Sequence, residues 1–306
     1  MLPQFRGIAS TLRRVIIIVA LAYSCYNIVL YFVNTEPKET TLADVVFDCL
    51  AEKFKNGNTF EAAFTWIFLS EVVQTCSAPA NKTVIPELFF GEEQKYFIPA
   101  MTPNFEYTLL TLGVGHNIEA EKKILRKYKN CKSFVGVDPT SEINENLVVK
   151  EGGKFLQRTV GAKDEVAEAY LMNRQGNDSN WFNMTYTSLQ NIITQAGMED
   201  HVDLMLMDIE GAEFEILERF IDNPKKHTPI CQLNVEIHSP WNNGVQKDEI
   251  VQTLFKLNEK REYLLYVADG IQVKKQVFNR CFFINVKDPY CIDKYYPALK
   301  NRVTAA

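Results

Sequence analysis

The hexapeptide Asp208-Ile209-Glu210-Gly211-Ala212-Glu213 sets carboxylates and a glycine directly behind an apolar run, Val202 and then Leu204-Met205-Leu206-Met207. A run that short and that apolar reads as a strand buried on both faces of a parallel α/β sheet. Ligands of such sheets bind just outside the carboxyl ends of the strands, so Asp208 and Glu210 stand where a pocket is expected. One carboxylate there can stabilise a cationic ligand, and a second can orient a hydroxyl. Plain structure offers another reading, with Asp208 as a strand-end turn residue and Glu213 as a first-turn helix acid. His238 ends the later run Asn234-Val235-Glu236-Ile237-His238. Histidine titrates near neutrality, which makes His238 the natural general base if it reaches the same cleft. A strand-terminal histidine satisfied by backbone is the alternative.

A second constellation lies upstream, in Leu112-Gly113-Val114-Gly115-His116-Asn117. Strand, glycine turn, then helix lets a backbone approach a ligand closely, because glycine removes the side chain and the helix start offers unpaired N–H groups. Asp138 lies 23 residues beyond Gly115, at the end of Phe134-Val135-Gly136-Val137-Asp138-Pro139. An acid in that place can accept both ribose hydroxyls of an adenosine; for Asp138 alone, an Asp-Pro turn is the plain alternative. Gly113, Gly115, Asn117, Asp138 and Asp208 are therefore the expected cofactor-binding residues, while His116 is expected to shape the loop.

The elements that must position these groups alternate as strand and helix from Tyr107 onward, the pattern of a parallel sheet with helices on both faces. Strands are predicted at 107–112, 133–138, 155–160, 202–208, 231–237, 263–268 and 277–286, with a closing hairpin near Asp269-Gly270. Helices are predicted near 119–129, 187–195, 212–221 and 247–260. Upstream, 40–56 and 59–76 show helical periodicity. Pro79, Pro86, Pro99 and Pro103 then punctuate an irregular approach, in which Glu92-Glu93-Gln94-Lys95-Tyr96 reads as a solvated loop, with a cover over the pocket as the alternative.

Asp-x-Glu-Gly-x-Glu with its apolar pair resembles the signature of the FkbM-type methyltransferases. The glycine turn, Gly136-Val137-Asp138-Pro139, Val160-Gly161 and Asn234 to His238 match at the expected places. The combination looks most like a nematode-expanded branch of that family. The resemblance implies a Rossmann-like class I fold of seven mostly parallel strands with the last antiparallel, and S-adenosylmethionine as cofactor. It further implies O-methyl transfer to a hydroxylated small molecule or glycan, with Asp208, Glu210 and His238 as catalytic residues. Four departures stand against it. Thr111 replaces the usual acid two residues before the first glycine, and the third glycine is missing near Glu119. Gln190 replaces an aspartate, and Leu206 replaces a lysine. These leave open a membrane-anchored, inactive protein that keeps the fold and works by binding a partner.

Val15 to Val33 carries no charge, and at 1.5 Å per residue it spans roughly 28 Å, close to a bilayer core. Arg6, Arg13 and Arg14 precede it, so positive-inside bias leaves 1–14 cytosolic and puts everything after the 15–33 anchor in a lumen. A cleaved signal peptide with Ala20-Leu21-Ala22 as its site is the rival. The remaining plan is a helical stem and approach over 34–106, the methyltransferase domain over 107–290 and a tail over 291–306. Sequons at Asn81, Asn177 and Asn183 fit a glycosylating compartment, Golgi or another secretory organelle. Of seven cysteines, all but Cys25 lie outside the apolar run, an even number that permits full pairing, although some can be buried free thiols. No Cys-x-x-Cys or Cys/His cluster points to zinc, and no metal is expected.

Without the three leading arginines the chain holds 30 basic against 38 acidic residues, a net charge of −8. No basic patch interleaves with aromatics, so nucleic acid is excluded as a partner. Trp181, Trp241 and Tyr266 are candidates to stack on a sugar acceptor. The topology predicts that glycosidase treatment of cell-made protein raises its gel mobility and that carbonate washing leaves it in membranes. Unglycosylated protein released by carbonate would rule the anchor out.

Overall fold

Thr41 opens the described fold as a helix cap. Its hydroxyl accepts from Asp44 N, and the Asp44 carboxylate accepts from Thr41 N, so α1 (Leu42–Phe54) starts with its first orphan donors satisfied. The computed structural model describes residues 19, 21–26, 40–55, 59–172, 179–222, 227–240, 249–273 and 276–303. Most of the 15–33 apolar run lies outside these; residues 21–26 are helical, and no helix among the described residues is long and apolar enough to cross a membrane. The sequon at Asn177 also lies outside them.

Two helices replace the single one expected over 59–76, α2 (Thr59–Ile67) and α3 (Leu69–Ser77), with the break at Phe68. Next come a hairpin, β1 (Glu87–Phe90) and β2 (Gln94–Phe97), then β3 (Tyr107–Leu112), α4 (Glu119–Lys127), β4 (Cys131–Asp138), α5 (Asn144–Lys150) and β5 (Lys154–Gln157). The strand expected over 155–160 is interrupted at Arg158, and Thr159–Gly161 (β6) joins a separate small sheet with β7 (Glu165–Met172) and β8 (Ser179–Ser188). That hairpin was not expected. Glu165-Val-Ala-Glu-Ala-Tyr-Leu-Met is rich in helix formers, and pairing with β8 overrides that local preference.

The chain continues through α6 (Leu189–Ala196), β9 (Val202–Met207), α7 (Glu213–Asp222), β10 (Ile230–Ile237), α8 (Ile250–Lys260), β11 (Tyr263–Val273), β12 (Gln276–Asn285) and α9 (Pro289–Tyr295). The main sheet has the order β11-β12-β10-β9-β3-β4-β5, parallel except that β12 runs antiparallel to both its neighbours. β9 and β10 are buried along their whole length, as the apolar run before Asp208 requires. The closing hairpin lies later than expected, since Asp269 and Gly270 are still paired with Arg280 and Asn279. Tyr266, a candidate sugar platform, is fully buried with its hydroxyl on Val84 O; Trp241 lies outside the described residues, and nothing is described of the Trp181 side chain.

Thr41–Arg302 forms one compact unit, so the helices of the expected stem and the residues past 290 pack with the sheet. The approach segment is ordered by two buried amides of β10. Asn234 exchanges hydrogen bonds with Tyr96 N and O at 2.7 and 2.8 Å, and Gln232 does the same with Ile98 at 2.7 and 2.9 Å. Side chains thus pair with the backbone as another strand would, and Glu93 and Lys95 are fixed rather than solvated; the loop expected there is corrected to a hairpin.

Two disulfides staple this unit, Cys49–Cys76 between α1 and α3 and Cys231–Cys291 between β10 and α9; Cys131 and Cys281 are free. Full pairing is therefore not reached. Cys231–Cys291 spans 60 residues of chain, and a loop of that length restricts the unfolded state by about 4 kcal/mol. Replacing both residues by alanine should lower the denaturant midpoint of unfolding accordingly. An unchanged midpoint would mean that the bridge adds no stability.

Candidate functional site

The strand ends β3, β4, β9 and β10 open on a cleft of about 330 Å³. Its geometry starts at Gly113, which has φ +81°, in the left-handed region that favours glycine. A Cβ there would sit 1.7 Å from the Asp208 carbonyl oxygen. The chain therefore turns away from β3 in contact with the turn that ends β9, and Asp208 N still donates to Leu112 O at 2.9 Å. Gly115 and His116 continue left-handed, at φ +57° and +66°, with His116 N held by Asn144 Oδ1 at 2.9 Å.

Asp138 anchors this turn. Its Oδ2 accepts from Val114 N and Gly115 N at 3.0 and 3.3 Å, and its Oδ1 accepts from Thr140 N and Oγ1 at 2.8 and 2.6 Å. Asp138 lines the cleft as expected, but four donors of the protein already occupy its oxygens. A ribose that reached the oxygens of Asp138 would therefore share them with these donors or displace one. Asn117 also lines the cleft, and its side chain is used locally, Oδ1 accepting from Glu119 N and Nδ2 donating to Glu92.

The signature turn is built by left-handed backbone at Glu210, φ +54°, followed by Gly211 at φ +108°. Glu210 there carries backbone strain of about 1 kcal/mol or more, and the turn is held by the Glu213 carboxylate accepting from Gly211 N at 2.7 Å. Glu213 is completely buried, and its other oxygen accepts from His238 N at 3.0 Å and meets His238 Nδ1 at 2.9 Å. Glu213 is a first-turn helix acid, as the plain reading of the sequence had it, and it also orients the histidine. With Nδ1–H on Glu213, Nε2 points to the cleft, 3.3 Å from Glu210 Oε2 and 3.7 Å from Asp208 Oδ1.

Asp208, Glu210 and His238 are brought together as the sequence reading expected, with their charges coupled. Burial pushes the imidazole toward neutrality, but hydrogen bonds to Glu210 and Glu213 and the nearby carboxylate charges outweigh it and carry His238 up to about 12. Burial, then the charges of Glu93 and Glu236, lift Asp208 well above the usual carboxylate range. Glu93 is half-buried, which raises it, yet Lys95, Asp208 and Arg280 hold it down at about 2. Asp208 Oδ1 is buried and has no hydrogen-bond partner. Asp208, Glu236 and His238 also offer ligand atoms within 4.8 Å of one another, a spacing that could hold a metal ion, although the sequence led to none being expected.

Sequence reading missed the charged residues that other elements bring in. Lys95 comes from β2, is buried, and is held protonated against that burial by Glu93, Asp208 and Glu121. Glu121, on α4, is buried and accepts from Thr111 Oγ1 at 3.1 Å. Arg280 Nε, from β12, donates to Glu236 at 2.6 Å. No local pattern marks these residues; the only signal for Glu121 is an acid on the otherwise apolar side of a basic helix. Gln190, by contrast, is away from the cleft, exchanging hydrogen bonds with Thr228 at 3.0 and 3.1 Å. Its departure from the expected aspartate is a matter of packing.

Residues 82–265, more than half of the chain, match the family model described as "Methyltransferase FkbM domain". No curated protein matches. Among solved structures, the FkbM methyltransferase of Methylobacillus flagellatus KT is 12% identical over 78% of this chain and 58% of its own, with a TM-score of 0.40. TrmK of M. capricolum in complex with S-adenosyl-homocysteine is 13% identical over 60% of this chain and 63% of its own, with a TM-score of 0.34. The chain spans about three fifths of the length of these two structures. None of these matches distinguishes a nematode branch.

The three carboxylates around His238 predict that it keeps its proton at pH 8, where an ordinary histidine has lost it. Its imidazole carbon and nitrogen shifts in a two-dimensional NMR spectrum should report the imidazolium form, and Glu210→Gln should lower the titration midpoint. A neutral ring at pH 7 would break this reading of the site.

Proposed function

We propose that this chain, which belongs to the FkbM methyltransferase family, moves the methyl group of S-adenosylmethionine onto a hydroxyl oxygen of a small molecule or glycan. The observation that carries the cofactor is the charge of the cleft. Glu93, Glu121, Asp208, Glu210 and Glu236 line it, and they outnumber the cations that touch them, Lys95, Arg280 and His238. A half-neutralised, partly buried set of carboxylates is costly unless a cation completes it. The close approach at Gly113 and the unpartnered Asp208 Oδ1 also suit a ligand pressed against the strand ends.

Bound there, S-adenosylmethionine supplies an electrophilic methyl group on a sulfonium. Glu210 faces the cleft beside Asp208, and a cation bound there would favour the ionised form of Asp208 that burial disfavours. Glu213 fixes the tautomer of His238, so that Nε2 would be the atom to take the acceptor's hydroxyl proton, the methyl–sulfur bond breaking as the oxygen–methyl bond forms and S-adenosylhomocysteine leaving. Glu210 and Asp208 then stabilise the imidazolium that results. His238 becomes a base only after losing its resting proton, which it does as pH rises or as positive charge enters the cleft.

A lumenal setting, with the chain held in the membrane by its N-terminal apolar run, agrees with the two disulfides and with the exposed sequon residue Asn183 on β8. The acidic cleft favours a neutral or cationic acceptor and repels phosphorylated ones.

Calorimetric titration with S-adenosylmethionine should give saturable binding. His238→Ala should abolish turnover and leave that binding nearly intact, because a base acts on the acceptor. Activity should rise with pH through the alkaline range, since a raised pKa delays the free base, and Glu210→Gln should move this limb to lower pH. A purified protein that binds no cofactor would instead favour an anchored protein that acts by binding a partner.

A further inference from the structure

The charges missing from the sequence motif are present in space. Thr111 occupies the place, two residues before Gly113, where a carboxylate was expected, and its side chain is buried against the cleft. Its hydroxyl donates to Glu121 Oε1 at 3.1 Å, so a carboxylate from α4 stands directly beside it. Leu206 likewise occupies the place of an expected lysine, and Lys95 of β2 lies near Asp208 and Glu121 in the same cleft wall. α4 and β2 thus bring to the cleft one acid and one base that positions 111 and 206 themselves lack.

Glu121 is exposed by only 4% and has few partners for an ionised group. Thr111 gives it one hydrogen bond, and the neighbouring cation, Lys95, is shared with Glu93 and Asp208. A carboxylate so enclosed is stable in its charged form only when further positive donors reach it. Its position along the cleft limits what those donors are. Asp138, Thr140 and Asn144 lie on the β4 side of the Gly113–Gly115 turn, while Thr111 and Glu121 lie at the β3–α4 junction beside Asp208.

We propose that Glu121, steadied by Thr111, binds the amino-acid ammonium of the S-adenosylmethionine cofactor. The inference rests on the cofactor reading above. Glu121 would then hold the amino-acid end of the ligand at the carboxyl end of β3. Glu121 does the work of the absent acid at position 111 from a different element, and the chain needs no carboxylate there. Glu121 is a positioning residue for the methyl donor and takes no part in proton transfer.

The test is calorimetry on the full chain with two probes, S-adenosylhomocysteine, which carries the ammonium, and 5′-methylthioadenosine, which lacks the amino-acid end. Glu121→Gln keeps the hydrogen bond from Thr111 and removes the charge. It should weaken S-adenosylhomocysteine at least tenfold, the scale of a lost charge-assisted hydrogen bond, and leave 5′-methylthioadenosine unchanged. Moving the charge, as T111D in the E121Q background, should recover part of the loss. Equal losses for both probes would show a merely structural role and overturn the proposal, as would full affinity of Glu121→Gln for S-adenosylhomocysteine. If the wild-type chain binds neither probe, the cofactor reading itself fails, a result distinct from either.

Discussion

The closest constraint in this molecule is between Gly113 and Asp208. No side chain fits at Gly113, because its Cβ would lie 1.7 Å from the Asp208 carbonyl oxygen. β3 and β9 stay paired up to Leu112 and Met207, and both chains then turn into the cleft while still touching. One turn carries the N–H groups that Asp138 gathers, and the other carries Asp208 and Glu210. A larger residue at 113 would push these turns apart, separating the loop held by Asp138 from Asp208 and Glu210. The sheet order places β4 and β10 on either side, which is why Asp138 and His238 reach the same cleft from strands far apart in the chain.

The site's electrostatics follow from burial. Carboxylates at strand ends are common, but here they are partly or wholly removed from water, so each must be offset by a neighbour. Glu213, with no exposure at all, is offset by donors from Gly211 N and from His238, and this fixes the direction of the imidazole. Lys95 and Arg280 offset Glu93 and Glu236. What is left over is negative charge facing the opening, and it is this surplus, more than any single residue, that suits a cationic donor. The two disulfides lie on elements that frame the sheet, in α1, α3, β10 and α9, and brace it from outside the cleft.

Much of the arrangement is readable from the chain alone. Val202 to Met207, short and apolar except for Asp203, reads as a buried strand, and Gly113, Gly115 and Gly211 stand where left-handed backbone is required. Asp208, Glu210 and His238 could be placed together because strand ends of a parallel sheet share one edge. Those features are local, set by periodicity and by what each residue type allows of the backbone. The residues brought in from outside the sheet edge were not readable. Lys95 and Glu93 sit in a segment punctuated by prolines and become fixed only through the amides of Gln232 and Asn234, some 135 residues away. Glu121 looks like one more charge on a charged helix until the packing of α4 turns it inward against Thr111. The hold of Asp138 on the glycine turn was likewise not readable, because the four donors it accepts from are assembled only in the folded turn. Sequence determined the strands, the turns and the chemical types at the cleft; tertiary structure alone decided the protonation and partners of those groups, because desolvation and Coulomb energy depend on distances between residues that are remote in the chain.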